Sequence, residues 1–272
     1  MTPDGVDKAM QLLLAEVSRT AILPHYQSLA SHQITHKAVD DVVTIADHAA
    51  EEMLNEGLAK IIPGLAIVGE EAAFGDPTVL ERLSGDCWIV DPLDGTNNFA
   101  GGKPPFGILI AVASGGEAHC GWIYDPLSGR LCTAHRGKGA FMNGERVAAC
   151  TTGQQPPVAA ISTVFMEPQQ REAVKHHIAP HYTMVDIPRC AAEQYPRLAL
   201  GINDVSIFER TLAWDHAAGV LWLNEAGGKA ARMDGSPYRV DEHGRTGLIG
   251  AATPEMFEQL ADRLTGLEQS MA

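Results

Sequence analysis

The sequence predicts an α+β first half joined to an α/β second half. Three observations carry this reading: apolar residues at helical spacing near the start, short apolar runs closed by turn residues through the middle, and a strand–helix alternation after "TTGQQPP". From Val6 to about Ile22, the residues Val6, Met10, Leu13, Leu14, Val17 and Ala21 line one helical stripe, which Pro24 helps to end. A second helix is expected from about Thr44 through "VVTIADHAAEEMLNEGLAKIIP", closed by Pro63 and Gly64. The runs "LAIVGEE", "CWIVDPLDG", "FGILIAVASGG", "AHCGWIYDPLSG" and "RLCTAHRGKGAFMNG" read as strands, several joined as antiparallel hairpins through "SGGE" and "DPLSG". Then follow strand "VAAISTVF", helix "QQREAVKHHI", strand "YTMVDI", helix "AAEQYPRLALG", strand "DVSIFE", helix "DHAAGVLWLNEAGG", strand "TGLIGAA" and helix "PEMFEQLADRL". The helix "AAEQYPRLALG" has to accommodate Pro196, which forfeits one helix hydrogen bond. The polar "CTTGQQPP" places a soft boundary between residues 1–150 and 151–272.

With 272 residues, of which 45% are hydrophobic, the chain can bury a substantial core. A formal charge of -14 leaves no basic surplus to neutralise a nucleic acid or an anionic membrane. An acidic protein that handles phosphate would need bound cations. The opening "MTPDGVDKAMQLLLAEVSR" has no basic leader followed by a long apolar segment, and no later run approaches a membrane span, so the expected compartment is the cytoplasm. The scattered, odd-numbered cysteines (Cys87, Cys120, Cys132, Cys150, Cys190) suggest neither a disulfide framework nor a zinc site, and small core residues are the expectation.

Carboxylates at the ends of strands are the candidate chemistry. In "CWIVDPLDGT", Asp91 ends an apolar run, Pro92 and Leu93 turn the corner so that Asp94 can converge with it, and Gly95 permits close approach by a ligand. Thr96 can open a short helix whose unpaired N–H groups favour an anion. The near-copy "DPLSG", Asp125 to Gly129, shows that the same frame also serves as a plain turn. An EF-hand loop is disfavoured, because Gly95 is misplaced and no closing Glu follows. Glu70 and Glu71 end another apolar run, and Asp215 opens a helix rich in small residues, where a simple N-terminal charge is the plainer alternative. "KAVDDVVTIAD" spaces Asp41, Thr44 and Asp47 along one expected helical face with Lys37 upstream, which a solvated charged face would also explain.

Together, "GEE", "DPLDGTNNF" and "WDHAAG", preceded by "KAVDDVVTIAD", resemble the signature of the inositol monophosphatase family, and "GWIYDPLSGRLCTAHRGKGAFMNGERV" resembles its hairpin region. The resemblance implies a layered αβαβα sugar-phosphatase sandwich, with an antiparallel sheet in the N-terminal half and α/β structure in the C-terminal half. It implies that Glu70, Asp91, Asp94, Asp215 and the main-chain carbonyl of Leu93 hold Mg2+, with Asp91 bridging two ions. Thr96 and Asp47 would orient or deprotonate the attacking water, helped by the metal at Glu70, and the N–H groups of Gly95 and Thr96 would hold phosphate. It further implies lithium sensitivity and a homodimer. Hard oxygen ligands without His or Cys suit magnesium, and a multi-metal cluster compensates charge on both attacking and leaving oxygens. The expected activity is magnesium-dependent hydrolysis of a small polyol or sugar monophosphate by in-line attack of metal-activated water. Fructose 1,6-bisphosphate, histidinol phosphate and 3'-phosphoadenosine 5'-phosphate are alternative substrates. A catalytically silent regulatory protein on the same fold is an alternative of a different class.

The substrate contacts depart from the inositol-selective pattern. Where such members carry Gly-Thr/Ser-Ala-Ala, this chain has "RCAA", Arg189 to Ala192. Where they carry a glutamate seven residues before the aspartate of the WD motif, it has Phe208, with Glu209 one position away and expected on the opposite face of a strand. Asp94, Ala191, Glu209 and Arg210 are the expected substrate contacts, and the fork of Arg210 suits a second phosphate or a carboxylate. An exposed strand-end arginine is the plainer reading of Arg210. His176, His177 and His181 do not form an aligned metal site, because Pro180 breaks the helix.

Overall fold

A computed structural model describes residues 3–38 and 41–271. Helix α1 (Pro3–Val17) is followed by an antiparallel pair, β1 (Ile34–Ala38) and β2 (Asp41–Thr44), and then by α2 (Ile45–Ile61). "KAVDDVVTIAD" is therefore not one helical face. The β-branched run Val42–Val43–Thr44 is extended, and Thr44 closes it as the N-cap of α2, its hydroxyl accepting from Ala46 N at 3.1 Å. Asp47 alone of the three expected face residues is helical, and the Asp41 side chain lies outside the described residues.

Next come β3 (Ala66–Gly69), α3 (Glu70–Gly75), β4 (Cys87–Asp94) and α4 (Thr96–Ala100). After them an antiparallel meander runs through β5 (Gly107–Ser114), β6 (Glu117–Tyr124), β7 (Leu131–His135), β8 (Gly139–Met142) and β9 (Glu145–Val147). These strands form a seven-stranded sheet in the order β3-β4-β5-β6-β7-β8-β9, with only the β3–β4 pair parallel. Its outer face presents Trp88, Val90, Ile108, Ile110 and Trp122 to Met10, Leu14, Leu54 and Leu58 of α1 and α2. That strict alternation along β4 and β5 is what makes both faces of the sheet core.

The remaining elements are β10 (Val158–Ile161), α5 (Pro168–Ala173), β11 (Thr183–Met184), α6 (Ala191–Ala199), β12 (Val205–Phe208), α7 (Ala213–Glu225), β13 (Lys229–Ala231), β14 (Leu248–Ala251) and α8 (Pro254–Met271). A five-stranded sheet orders them β11-β10-β12-β14-β13. Between the two sheets lie α6 and α7, where Tyr195, Leu198, Ala217, Leu221 and Trp222 meet Cys87, Ile89, Leu109 and Ile123 on one side and Ala230 and Leu248 on the other. Helix α7 is apolar all round because it is covered all round. It sits so close to the first sheet that a Cβ on Gly121 would lie 3.0 Å from Ala218 Cα. Outside the second sheet, Val174, Phe257 and Leu260 cover Ile161, Ile207 and Ile249. The order helices, sheet, helices, sheet, helices is the αβαβα sandwich expected from the resemblance.

Helix α6 forms where "AAEQYPRLALG" predicts it, with Pro196 inside. The carbonyl of Ala192, which Pro196 cannot bond, instead receives Arg130 Nη2 at 3.4 Å, so the missing helix bond is replaced. The strand expected from "YTMVDI" shrinks to two residues at the sheet edge, and the three-residue strands β9 and β13 have too little periodicity to be read in advance. Of the cysteines expected in the core, Cys87, Cys132 and Cys190 are buried, whereas Cys150 is exposed. Among the described residues no helix is long and apolar enough to cross a membrane.

Candidate active site

Strand register builds the site. Gly69 pairs with Val90 across parallel β3 and β4, so the next residues, Glu70 and Asp91, emerge side by side at the carboxyl ends of adjacent strands. Asp91 shares its face with Cys87 and Ile89 and so points toward the α7 layer, whose first turn carries Asp215. In a regular strand Asp94 would face the other way. A bulge prevents this: Asp91 pairs with Leu109 but Asp94 with Gly107, three steps on one strand against two on its neighbour, which returns Asp94 to the face of Asp91. Asp91 Oδ1 accepts from Leu93 N at 3.0 Å around Pro92, and the exposed copy repeats the bond from Leu127 N to Asp125 Oδ1 at 2.9 Å. The frame is a turn in both places, and only the first is surrounded by further carboxylates.

After the bulge, Gly95 takes φ +81°, and a Cβ there would lie 2.9 Å from the Pro105 carbonyl oxygen. Both facts require glycine. Asn98 then clamps the neighbourhood, its Nδ2 donating to the carbonyls of Pro105 and Pro188 at 2.9 Å each.

Helix α2 supplies Asp47 from beneath, at 1% exposure. Its Oδ2 accepts from Thr44 N at 2.8 Å and Thr44 Oγ1 at 2.6 Å, while Oδ1 lies 3.1 Å from Thr96 Oγ1. The Thr96 hydroxyl also lies 2.8 Å from the Leu93 carbonyl oxygen. Burial raises the Asp47 pKa to about 6, against the lowering effect of the Thr44 bonds. One turn further along α2, the carboxylate of Glu51 accepts from Glu71 N at 2.9 Å and Ala72 N at 3.0 Å, seating α3 and with it Glu70. Glu51 was missed in the sequence, although its position four residues after Asp47 places both on one helical face.

The charges are packed tightly. Glu70 is pushed up to about 8, first by burial and then by Asp215, Glu71 and Asp47, against the opposing pull of Lys37. Asp91 is raised well above the ordinary carboxylate range by burial and by the charges of Glu70, Asp94 and Asp215. Burial also raises Asp94, opposed by donors from Ala192 N at 2.6 Å and Cys190 Sγ at 3.1 Å. Lys37 Nζ lies 3.2 Å from Glu70 and 2.6 Å from Glu71, and Arg210 Nη2 lies 3.7 Å from Asp215. Among the described residues, no group of three or more His, Cys, Asp or Glu side chains is arranged as it stands to hold a metal ion. The donor chemistry nonetheless fits a hard cation: carboxylates and a carbonyl, crowded until their mutual repulsion favours the neutral form, which a bound cation would reverse.

Glu70, Asp91, Leu93, Asp94, Gly95, Thr96, Ala191, Glu209, Arg210 and Asp215 all line one cleft, which encloses ≈ 1010 Å³ including space open to solvent. Asp47 lies below its floor, joined through Thr96. Phe208 ends β12 and stacks on Tyr195 at 5.4 Å, while Glu209 lies beyond the strand and accepts from Gln170 Nε2 at 3.2 Å. The strand alternation that was expected to turn Glu209 away has already ended there, so both residues line the cleft. His216, which sequence reasoning also passed over, is buried against Tyr195 Oη at 2.7 Å and the Arg210 carbonyl oxygen at 3.0 Å, and burial lowers its pKa to about 3.

Comparison with known proteins places these features in context. The family model described as "Inositol monophosphatase family" matches residues 6–268. An inositol-1-monophosphatase of Bacillus subtilis (strain 168) is 33% identical over 203 residues, 73% of this chain and 75% of that protein. A protein of Haemophilus influenzae named Nus factor SuhB is 30% identical over 259 residues, 92% of each chain. The crystal structure of the extragenic suppressor protein suhB from Bartonella henselae superposes with a TM-score of 0.80 at 27% identity, covering 96% of this chain and 98% of that one.

Proposed function

The chain belongs to the inositol monophosphatase family, and from that premise we propose that it is a magnesium-dependent phosphomonoesterase acting on a small polyol or sugar monophosphate. The observation that carries this reading is the convergence of Glu70, Asp91, Asp94 and Asp215 on one cleft, directly above the Thr96–Asp47 pair. Glu70, Asp91, Asp94, Asp215 and the Leu93 carbonyl would hold Mg2+. Bound there, magnesium supplies charge neutralisation at the phosphate and lowers the pKa of water.

The chain's own groups then divide the work. Thr96 has one hydroxyl hydrogen and two acceptors within reach, Asp47 Oδ1 and the Leu93 oxygen. When that hydrogen passes to Asp47, the Thr96 oxygen accepts a proton from the attacking water. Water oxygen bonds to phosphorus as the phosphorus–ester oxygen bond breaks, and the departing oxygen takes a proton from solvent to leave as the alcohol. A carboxyl with a pKa near 6 is ionised at neutral pH yet still basic enough for this role. The N–H groups of Gly95 and Thr96 hold phosphate oxygens, and Ala191, Glu209 and Arg210 meet the rest of the substrate. Fructose 1,6-bisphosphate, histidinol phosphate and 3'-phosphoadenosine 5'-phosphate fit the same chemistry. The reading includes a cytoplasmic homodimer with no nucleic-acid partner.

The Nus factor name of the Haemophilus relative favours a second reading, a regulatory protein on this fold. Damage to the carboxylate set would be expected of a silent protein, and the set is complete. The test is phosphate release from a substrate panel with and without magnesium, comparing wild type with Asp94→Asn. Turnover that depends on magnesium and collapses in the variant is expected. A folded protein with no turnover of any substrate would sink the enzyme, and full activity in Asp94→Asn would sink the role of Asp94.

A further inference from the structure

We propose that the mouth of the cleft is a second-anion subsite formed by Arg189 and Arg210, so that the preferred substrate carries a carboxylate or second phosphate in addition to the phosphate that is hydrolysed. The inference rests on the phosphatase reading and narrows its substrate class. Arg189 sits at φ +54°, a left-handed conformation disfavoured for any residue bearing a Cβ. Arginine is not a turn former that relieves this locally, as Asn or Asp is. Its backbone is held there from both sides: Asn98 Nδ2 grips the Pro188 carbonyl at 2.9 Å, and Ala192 N is bound to Asp94 at 2.6 Å. The strain is thus imposed by the frame of the site, and it sets Arg189, an exposed residue, on the cleft wall.

Arg210 reaches the same cleft from a separate segment. Its guanidinium lies over the Phe165 ring, 4.2 Å from the centroid, and the His216 imidazole fixes its backbone by donating to the Arg210 carbonyl at 3.0 Å. Stacking holds the plane of the fork while its in-plane N–H groups keep the geometry that suits a carboxylate or phosphate. Guanidinium groups only donate, so two of them select an acceptor-rich partner. A neutral polyol, whose hydroxyls donate as well as accept, gains less from two donor-only groups than an anion does.

The test compares kcat/KM for matched pairs: glycerol 2-phosphate with 2-phosphoglycerate, which adds a carboxylate, and fructose 1-phosphate with fructose 1,6-bisphosphate, which adds a phosphate. The wild type should favour at least one doubly anionic partner by roughly tenfold or more, the scale of one charge-assisted contact. Arg189→Gly and Arg210→Met should each bring that ratio toward one. Because glycine adopts the left-handed conformation freely, Arg189→Gly should melt no lower than wild type, which separates lost recognition from lost folding. Hydrolysis without preference in the wild type, or an unchanged ratio in both variants, overturns the subsite while leaving the phosphatase reading standing. Absence of hydrolysis across all four substrates overturns both.

Discussion

Thr96 Oγ1 and Asp47 Oδ1 meet at 3.1 Å although 49 residues separate them in the chain. One comes from the corner after β4 and the other from the first turn of α2. Because Asp47 also closes the capping box with Thr44, a single carboxylate both fixes the helix end and meets Thr96 below the cleft floor.

Asp47→Asn keeps the size of the side chain but removes its ability to take a proton. Turnover should fall by roughly 10²–10⁴, the usual worth of a positioned base, with KM changing far less. Steady-state phosphate release checks this, and a kcat within a few-fold of wild type would remove Asp47 from the mechanism.

Stability should respond to pH and magnesium together. Burial raises Asp47 from 3.8 to about 6 and Glu70 from 4.5 to about 8 in the folded state. A raised folded-state pKa contributes stability that is fully present below the unfolded value and is lost as pH rises through the folded one. The metal-free protein should therefore melt lower at about pH 8 than at about pH 5, and magnesium should restore more at the higher pH because it binds the ionised form. Calorimetry at both pH values with chelator or with magnesium is the measurement; a larger magnesium effect at the lower pH would contradict the site.

Glu51 holds two N–H groups at the start of α3. Glu51→Ala leaves both unsatisfied in a nearly closed environment and should cost about 1–3 kcal/mol of stability. The magnesium concentration for half-saturation, followed by titration calorimetry, should rise as well, since Glu70 begins the same helix. Unaltered magnesium binding in a destabilised variant would confine Glu51 to a structural role.

His135 binds both oxygens of Asp7 at 2.9 Å and so ties α1 to β7, on the same sheet face where Trp122 Nε1 also donates to Asp7. The Asp7 bond, followed by that to Cys120, raises its pKa from 6.5 to about 10. The contribution is complete below 6.5 and disappears as pH rises through about 10. His135→Gln should lower the urea midpoint at about pH 6 by the equivalent of about 1–2 kcal/mol, and the gap should narrow above about pH 10. A gap independent of pH would mean that the imidazolium charge contributes nothing.

Much of the layering was legible because burial leaves periodic marks. Alternation in β4 and β5, the helical stripe of α1 and the all-round apolar surface of α7 each follow from which sides are covered. The β1–β2 pair was misread because spacings of three in Asp41, Thr44 and Asp47 imitate a helix, while the β-branched run Val42–Thr44 carried the stronger local preference. The helix through Pro196 was legible in "AAEQYPRLALG" despite its proline, but what replaces the forfeited bond was not, since it comes from Arg130, 66 residues earlier.

The sequence by itself determined the inventory of the site: carboxylates at strand ends, a corner of proline and glycine, and a threonine beside them. These are local facts, because turn chemistry and residue type are written in consecutive residues. Only the tertiary structure decided that the bulge in β4 aims Asp91 and Asp94 to one side, that Glu51 seats Glu70, and that Arg189 and Arg210 share a cleft with them. Each of those depends on register between strands or on the meeting of distant segments. Sequence spacing does not encode such relations, since one residue of slip in a strand reverses a side chain while leaving the motif unchanged.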